Sequence, residues 1–364
     1  MKDELMRRSP DTSGLIRAAR LEALMTSIKT KLHRVSVVAA AVFTAVVLVP
    51  DVRGQQPSSS DQLRDLMMHR QEMSKRAVEE TTRRRFEEGK SDSAFPSDAV
   101  NAKGGVVRAL TPEQQKALQH NERGLELFLK GKLDGAMKEY EAAIRSDPKL
   151  AAAHNNLGSA YFAAGRFEES AAAFQRACGL YAEFGQAFFN LALAQIKLRR
   201  EKEATEALDA ALRAYNSAGE AHLKAGDLKE AEEAFRGMLQ IDPEYAPALL
   251  RLALVYNAAG RYEEAAVNAR RVAERDRTNA AAHEILAEAL NGLKKYEEAA
   301  ASAERAIKLD SNSPGAHYLA GVARASMGER DAALAHLARI RELNAIDLAQ
   351  KLSDFINKKG PAKP

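Results

Sequence analysis

From residue 117 onward the chain repeats itself about every 34 positions, and repetition at that period limits the fold more than any other feature of the sequence. The copies align from Ala117, Ala151, Gly185, Leu212, Ala246, Ala280 and Pro314. The eighth residue of each is small: Gly124, Gly158, Ala192, Gly219, Ala253, Ala287 and Gly321. A turn follows, often with glycine, as at Gly131, Gly165, Gly226, Gly260 and Gly328. A second helical pattern then begins with segments such as "RFEESAAAF" and "DLKEAEEAF". Ala136 and Tyr140, Ser170 and Phe174, and Ala231 and Phe235 each sit four apart, so each pair shares one helical face. Asp147-Pro148 and Asp242-Pro243 break two copies at the same place, because the residue before proline is pushed out of helix. A unit this short cannot bury its apolar face alone and must stack on its neighbours.

This pattern resembles the tetratricopeptide repeat, whose signature is a small residue at position 8, a small residue at 20, an aromatic at 24, a small residue at 27 and often proline at 32. The resemblance covers roughly residues 117 to 343. It implies an all-α fold, a right-handed α-α superhelix of about seven helix-turn-helix repeats with a C-terminal capping helix. The third copy departs from the pattern: Gly185 to Ala211 is short, and "EKEATEALDAALRAYNSAGEAHLKAG" lacks the usual break, so two helices are expected to fuse or turn tightly there.

Other segments flank the array. "VSVVAAAVFTAVVLV", Val35 to Val49, follows the basic "KTKLHR". As a helix it would reach only about 22 Å, short of the roughly 30 Å of a hydrocarbon core. Residues 1–54 therefore read as a signal-peptide region starting at Met25, with cleavage after Gly54 and export to a periplasmic or secreted location of bacterial type; the alternative is a retained single-pass anchor. "KDEL" at residues 2–5 carries no address away from a C-terminus. Residues 55–110 read as a charged spacer helix followed by a flexible Gly/Ser/Asp/Pro linker. Thr111, Pro112 and Gln114 form a helix start with a capping box, opening a solenoid over 111–343. Residues 344–364 supply a cap and tail, with Ile346, Leu348, Leu352, Phe355 and Ile356 at helical spacing.

The net charge of +4 lies wholly in residues 1–54, which hold nine Lys/Arg against five Asp/Glu. The repeats are charge-balanced, so no nucleic-acid footprint is expected. Cys178 is the only cysteine, which excludes an intramolecular disulfide framework. His120, His154, His283 and His317 occupy position 4 of their copies, where others carry Phe188, Tyr215 and Leu249. That equivalence reads as packing rather than metal ligation, because equivalent positions lie a whole repeat apart. Paired glutamates at second-helix starts match the helix dipole. With no nucleophile motif or phosphate loop, the chain reads as no enzyme, without cofactor or metal.

The repeat family binds extended peptides on the concave face of its first helices, to which positions 2, 5, 6, 9, 12 and 13 point. Here those positions carry Asn155, Asn156, Asn190, Lys197, Arg213, Asn216, Lys224, Arg251 and Asn257. An asparagine both donates and accepts, so it can pair with a peptide backbone; arginine and lysine can hold a carboxylate. Of the family's carboxylate clamp, only Asn190 and basic Arg213 are matched, with Asn155, Ser159 and Ser217 in the other places. The expectation is a protein- or peptide-binding scaffold or adaptor using this groove, touching membrane only if the leader is retained. The alternative is a structural subunit of an envelope complex, held through its convex face, its cap or the 61–88 helix. Replacing Asn155, Asn156, Asn190, Arg213 or Arg251 by alanine is expected to cost little stability.

Overall fold

The computed structural model describes residues 110–359, together with the backbone of 99–100 and 106–107. The leader, the spacer helix and most of the linker lie outside the described residues. Within the stretch read as linker, β1 (Ala99–Val100) pairs antiparallel with β2 (Val106–Val107). Everything else with regular structure among the described residues is helix.

The first helix, α1 (Pro112–Leu129), starts as its sequence requires. The Thr111 hydroxyl accepts from the Gln114 backbone N–H at 3.2 Å, and the Gln114 side chain accepts from the Thr111 N–H at 3.0 Å. Helical hairpins follow: α1 with α2 (Leu133–Ser146), α3 (Ala151–Ala163) with α4 (Phe167–Leu180), and α5 (Gly185–Lys197) with the start of α6 (Glu201–Ala225). The chain divides into two compact units within α6, between Ala214 and Tyr215. The second unit continues with α7 (Leu228–Ile241), α8 (Ala246–Ala258) and α9 (Tyr262–Arg275), then α10 (Ala280–Gly292), α11 (Tyr296–Leu309), α12 (Pro314–Ser326), α13 (Arg330–Glu342) and α14 (Ile346–Lys359). The architecture is all-α. The third copy's second helix fuses with the first helix of the fourth: α6 runs for 25 residues because nothing between Glu201 and Ala225 breaks a helix, neither proline nor a turn aspartate at the usual place.

The connections explain themselves locally. All five turn glycines have positive φ, from 71° at Gly131 to 85° at Gly328. At the equivalent place Arg199 and Lys294 adopt the same left-handed backbone, at 57° and 60°. Between copies, the aspartate does as much as the proline. Asp147, Asp242, Asp276 and Asp310 each end a second helix, and each carboxylate accepts from the backbone N–H two residues on, at 2.9 to 3.0 Å.

Volume is balanced across each hairpin. Where position 8 is glycine, an aromatic at position 24 fills the space: a Cβ on Gly124 would lie 2.6 Å from the Tyr140 ring, one on Gly158 2.7 Å from Phe174, and one on Gly219 2.5 Å from Phe235. Where position 8 is alanine, position 24 is smaller: Ala192 with Leu208, Ala253 with Ala269, Ala287 with Ala303, all buried. In the last copy a Cβ on Gly321 would meet Leu352 of α14 instead. That contact seats the cap. Leu352 and Ile356 are buried with Leu337 and Ile340, Leu348 and Phe355 are half-buried beside them, and Arg330 donates to the Ile356 carbonyl at 3.0 Å. Ile346, expected in the same stripe, stands 78% exposed, because it opens the helix one turn before the face that docks.

Candidate functional site

The polar residues expected on the first-helix face fall into two groups, one in each unit. In the first unit they are joined to each other. Asn156 donates from Nδ2 to Asn121 Oδ1 at 2.9 Å, and Asn190 donates from Nδ2 to Asn155 Oδ1 at 3.0 Å. Both bonds run from position 6 of one copy to position 5 of the copy before. Gln186 extends the second pair, donating to Asn190 Oδ1 at 2.9 Å. Asn121, Asn155 and Asn190 are buried, while Asn156 is half-buried. A buried amide with a bonded partner is part of the packing, so the expectation that alanine costs little here is overturned for Asn155 and Asn190. Lys197 lies 5.9 Å from the Phe167 ring centroid, and Arg213 is exposed.

In the second unit the basic groups meet acids. Arg251 pairs with Glu220 at 2.5 Å, and Asn216 donates to the same Glu220 oxygen at 3.1 Å. Arg251 is thus half of an ion pair rather than a cation awaiting a carboxylate. Asn257 is buried and donates from Nδ2 both to the Ile285 carbonyl, at 3.2 Å, and to Glu288 Oε2, at 3.0 Å. It too is held within the packing. Lys224 is exposed. Sequence reasoning missed Asn121, Gln186, Glu220 and Glu288. Asn121 carried a readable signal, an asparagine at position 5 followed 35 residues later by another at position 6, as in the Asn155 and Asn190 pair.

Three of the position-4 histidines have local partners. His120 Nδ1 lies 2.8 Å from Glu139 Oε2, and His154 Nε2 lies 3.0 Å from the Pro148 carbonyl. His317 Nδ1 meets His336 Nδ1 at 3.1 Å. Burial lowers His154, His283, His317 and His336 below the ordinary imidazole value. Among the described residues no three His, Cys, Asp or Glu side chains gather as a metal-binding group. Cys178 is buried, and burial pushes its thiol up to about 12. No described helix is long and apolar enough to cross a membrane.

Three family models match the chain: "TPR repeat" over residues 124–165, and "Tetratricopeptide repeat" twice, over 222–289 and over 151–184 with 280–313. The matches skip from residue 184 to residue 222, the stretch holding α5 and most of the fused α6. No curated protein matches the chain. Among solved structures, a tetratricopeptide repeat protein from Parabacteroides merdae is 17% identical, with 66% of this chain and 99% of that one covered at a TM-score of 0.36. MamA from Desulfovibrio magneticus is also 17% identical, over 54% of this chain and 95% of its own, at 0.33. The second TPR of Spaghetti bound to an HSP90 peptide is 26% identical over 28% of this chain and 94% of its own, at 0.27. The repeat signature, the small-residue contacts that it sets up and the family models agree: residues 124–184 and 222–313 carry tetratricopeptide repeats.

Proposed function

We propose that the protein is an exported, non-catalytic scaffold or adaptor that holds an extended segment of a partner protein against its first helices. The observation that carries this reading is the pair of asparagine bonds linking neighbouring copies in the first unit. Of these amides Asn156 is only half-buried, and the N–H that it does not give to Asn121 is held in a fixed direction, so the face is organised before any ligand arrives. Amides held in this way suit a peptide backbone, which presents donors and acceptors alike.

A photo-crosslinking amino acid placed singly at the exposed first-helix residues Arg213 and Lys224, and at the exposed second-helix and cap residues Val267, Leu334 and Ile346, tests it in cells. Crosslinks to one partner from Arg213 and Lys224 alone are expected. Crosslinks from Val267, Leu334 or Ile346 alone would replace this reading with that of a structural subunit. N-terminal sequencing of native protein is expected to begin near Gln55, and an intact 25–54 segment in the membrane would make it an anchored protein instead.

A further inference from the structure

We propose that the first-helix face of the second unit carries a subsite for an arginine side chain of the partner segment, centred on Glu288 and completed by Asn257 and Tyr318. The inference rests on the peptide-binding reading above and adds the chemistry of one contact.

Position 9 of the copies is Leu125, Ser159, Leu193, Glu220, Leu254, Glu288 and Val322. A carboxylate at this place is therefore no demand of the repeat. Of the two glutamates, Glu220 has its cation in Arg251. For Glu288 no ion pair with a Lys, Arg or His is seen among the described residues; its carboxyl is raised by burial and by the charge of Glu284, against the hydrogen bond from Asn257. Glu284, one helical turn earlier, is already held. It accepts from the Ser313 hydroxyl at 2.8 Å, and its other oxygen lies where a Cβ on residue 315 would stand, so Gly315 leaves it room.

The second observation is an orphan acceptor. Asn257 is 7% exposed, and its Oδ1 is buried without a hydrogen-bond partner. Its orientation is fixed, since the Nδ2 faces two acceptors, the Ile285 carbonyl and Glu288; a flipped amide would set oxygen against both. The equivalent Asn291 also donates to the next copy's carbonyl, Leu319, but the neighbours corresponding to Glu284 and Glu288 are there Tyr318 and Val322. The combination of orphan oxygen and uncompensated carboxylate occurs at Asn257.

The groups left over are thus acceptors: the carboxylate of Glu288, partly desolvated on a residue that is still exposed, and the buried oxygen of the amide that donates to it. The Tyr318 phenol, on the next first helix, is raised by burial first and by the charge of Glu288 second, and its ring offers a π face. A guanidinium meets this set better than an ammonium does. It carries five N–H donors in a planar fork, spans two acceptors and stacks on an aromatic ring. Surrendering Glu288 to it leaves Asn257 Nδ2 still bonded to the Ile285 carbonyl, so no new orphan is made.

The test uses the full chain, isotope-labelled, titrated with the peptide acetyl-Gly-Arg-Gly-amide and with its lysine and citrulline counterparts. The arginine peptide is expected to shift the amide signals of Asn257, Glu284, Glu288 and Tyr318. Glu288→Gln keeps shape and removes charge, and is expected to weaken binding at least about tenfold, since one charge-assisted hydrogen bond is worth that much. Glu298→Gln, on α11, is expected to leave it unchanged. No shifts at Asn257 and Glu288, equal binding by the Gln variant, or equal binding of the lysine or citrulline peptide would overturn the proposal. A native partner crosslinked from the first helices while the arginine peptide stays inert would remove the subsite and keep the scaffold reading. Arginine binding without any first-helix crosslink would do the reverse.

Discussion

The exchange of volume between positions 8 and 24 can be tested by transplanting one copy's solution into another. Gly158 faces Phe174 so closely that a Cβ would lie 2.7 Å from two ring carbons, whereas apolar carbons rest at about 3.5–4.0 Å. Phe174 is 2% exposed and has nowhere to retreat. Gly158→Ala should therefore destabilise by about 1–2 kcal/mol: with two ring carbons so close and no room to retreat, overpacking falls in the upper part of its usual range, about 2–3, and the better helix propensity of alanine returns just under 1. Phe174→Leu alone removes buried volume and should cost about 1–2 kcal/mol, less than full truncation. The two together recreate the pairing of Ala192 with Leu208, both buried in the third copy. The double variant should lose no more than about 1 kcal/mol, a favourable coupling of at least about 1 kcal/mol. Urea unfolding gives the cycle, and amide exchange in α3 and α4 shows whether the change is local, as expected where stability is shared between neighbouring repeats. Additivity within about 0.3 kcal/mol would refute the reasoning, because the two positions would then not be filling one space.

Three other perturbations follow from the same contacts. Lys294→Gly, at a turn where lysine holds φ at 60°, should raise stability by up to about 1 kcal/mol in a thermal melt, the left-handed strain relieved less the extra entropy of an unfolded glycine. Asn190→Ala should destabilise by about 1–3 kcal/mol in urea unfolding, because it strands Asn155 Oδ1, whereas exposed Arg213→Ala should stay within about 0.5. His317 and His336 are both lowered below 6.5 by burial, so the unfolded chain takes up protons first on acidification; the stability that they lend is complete above pH 6.5 and lost as pH falls through their folded values, which exchange protection in α12 and α13 at pH 7.5 and 5 would show, with a smaller drop in His336→Gln.

The fold was legible because its determinants are local and repeated. Glycine at the eighth place, an aromatic sixteen residues on and a left-handed turn between them are each visible within one copy, and recurrence confirms each reading. Legibility failed where another residue does the same work by a different route. Arg199 and Lys294 take glycine's backbone without glycine's sequence, held there by the helices on either side. The turn aspartates were seen only where proline follows, although Asp276 and Asp310 end their helices by the same bond to a backbone N–H. In α6 the missing break was visible, but the choice between a fused helix and a tight turn depends on how the neighbouring helices pack.

The candidate site was less legible for a reason of scale. Helical position tells which face a side chain leaves from, and in the first helices it identified the polar positions. What such a side chain can offer a ligand depends on a partner one repeat away. Asn155 and Asn190 looked like free amides and are each other's partners; Arg251 looked like a cation for a carboxylate and has one in Glu220. The phase between successive copies brings position 6 of one onto position 5 of the last, and nothing within a single copy encodes that phase. Binding chemistry is then to be sought where a polar group departs from its equivalents in other copies and still lacks a compensating partner. Glu288 meets both conditions: four of the other copies place an apolar side chain there, and the remaining glutamate is neutralised. A repeat protein reuses one packing solution along its length, so discrimination between partners must come from positions where the copies differ.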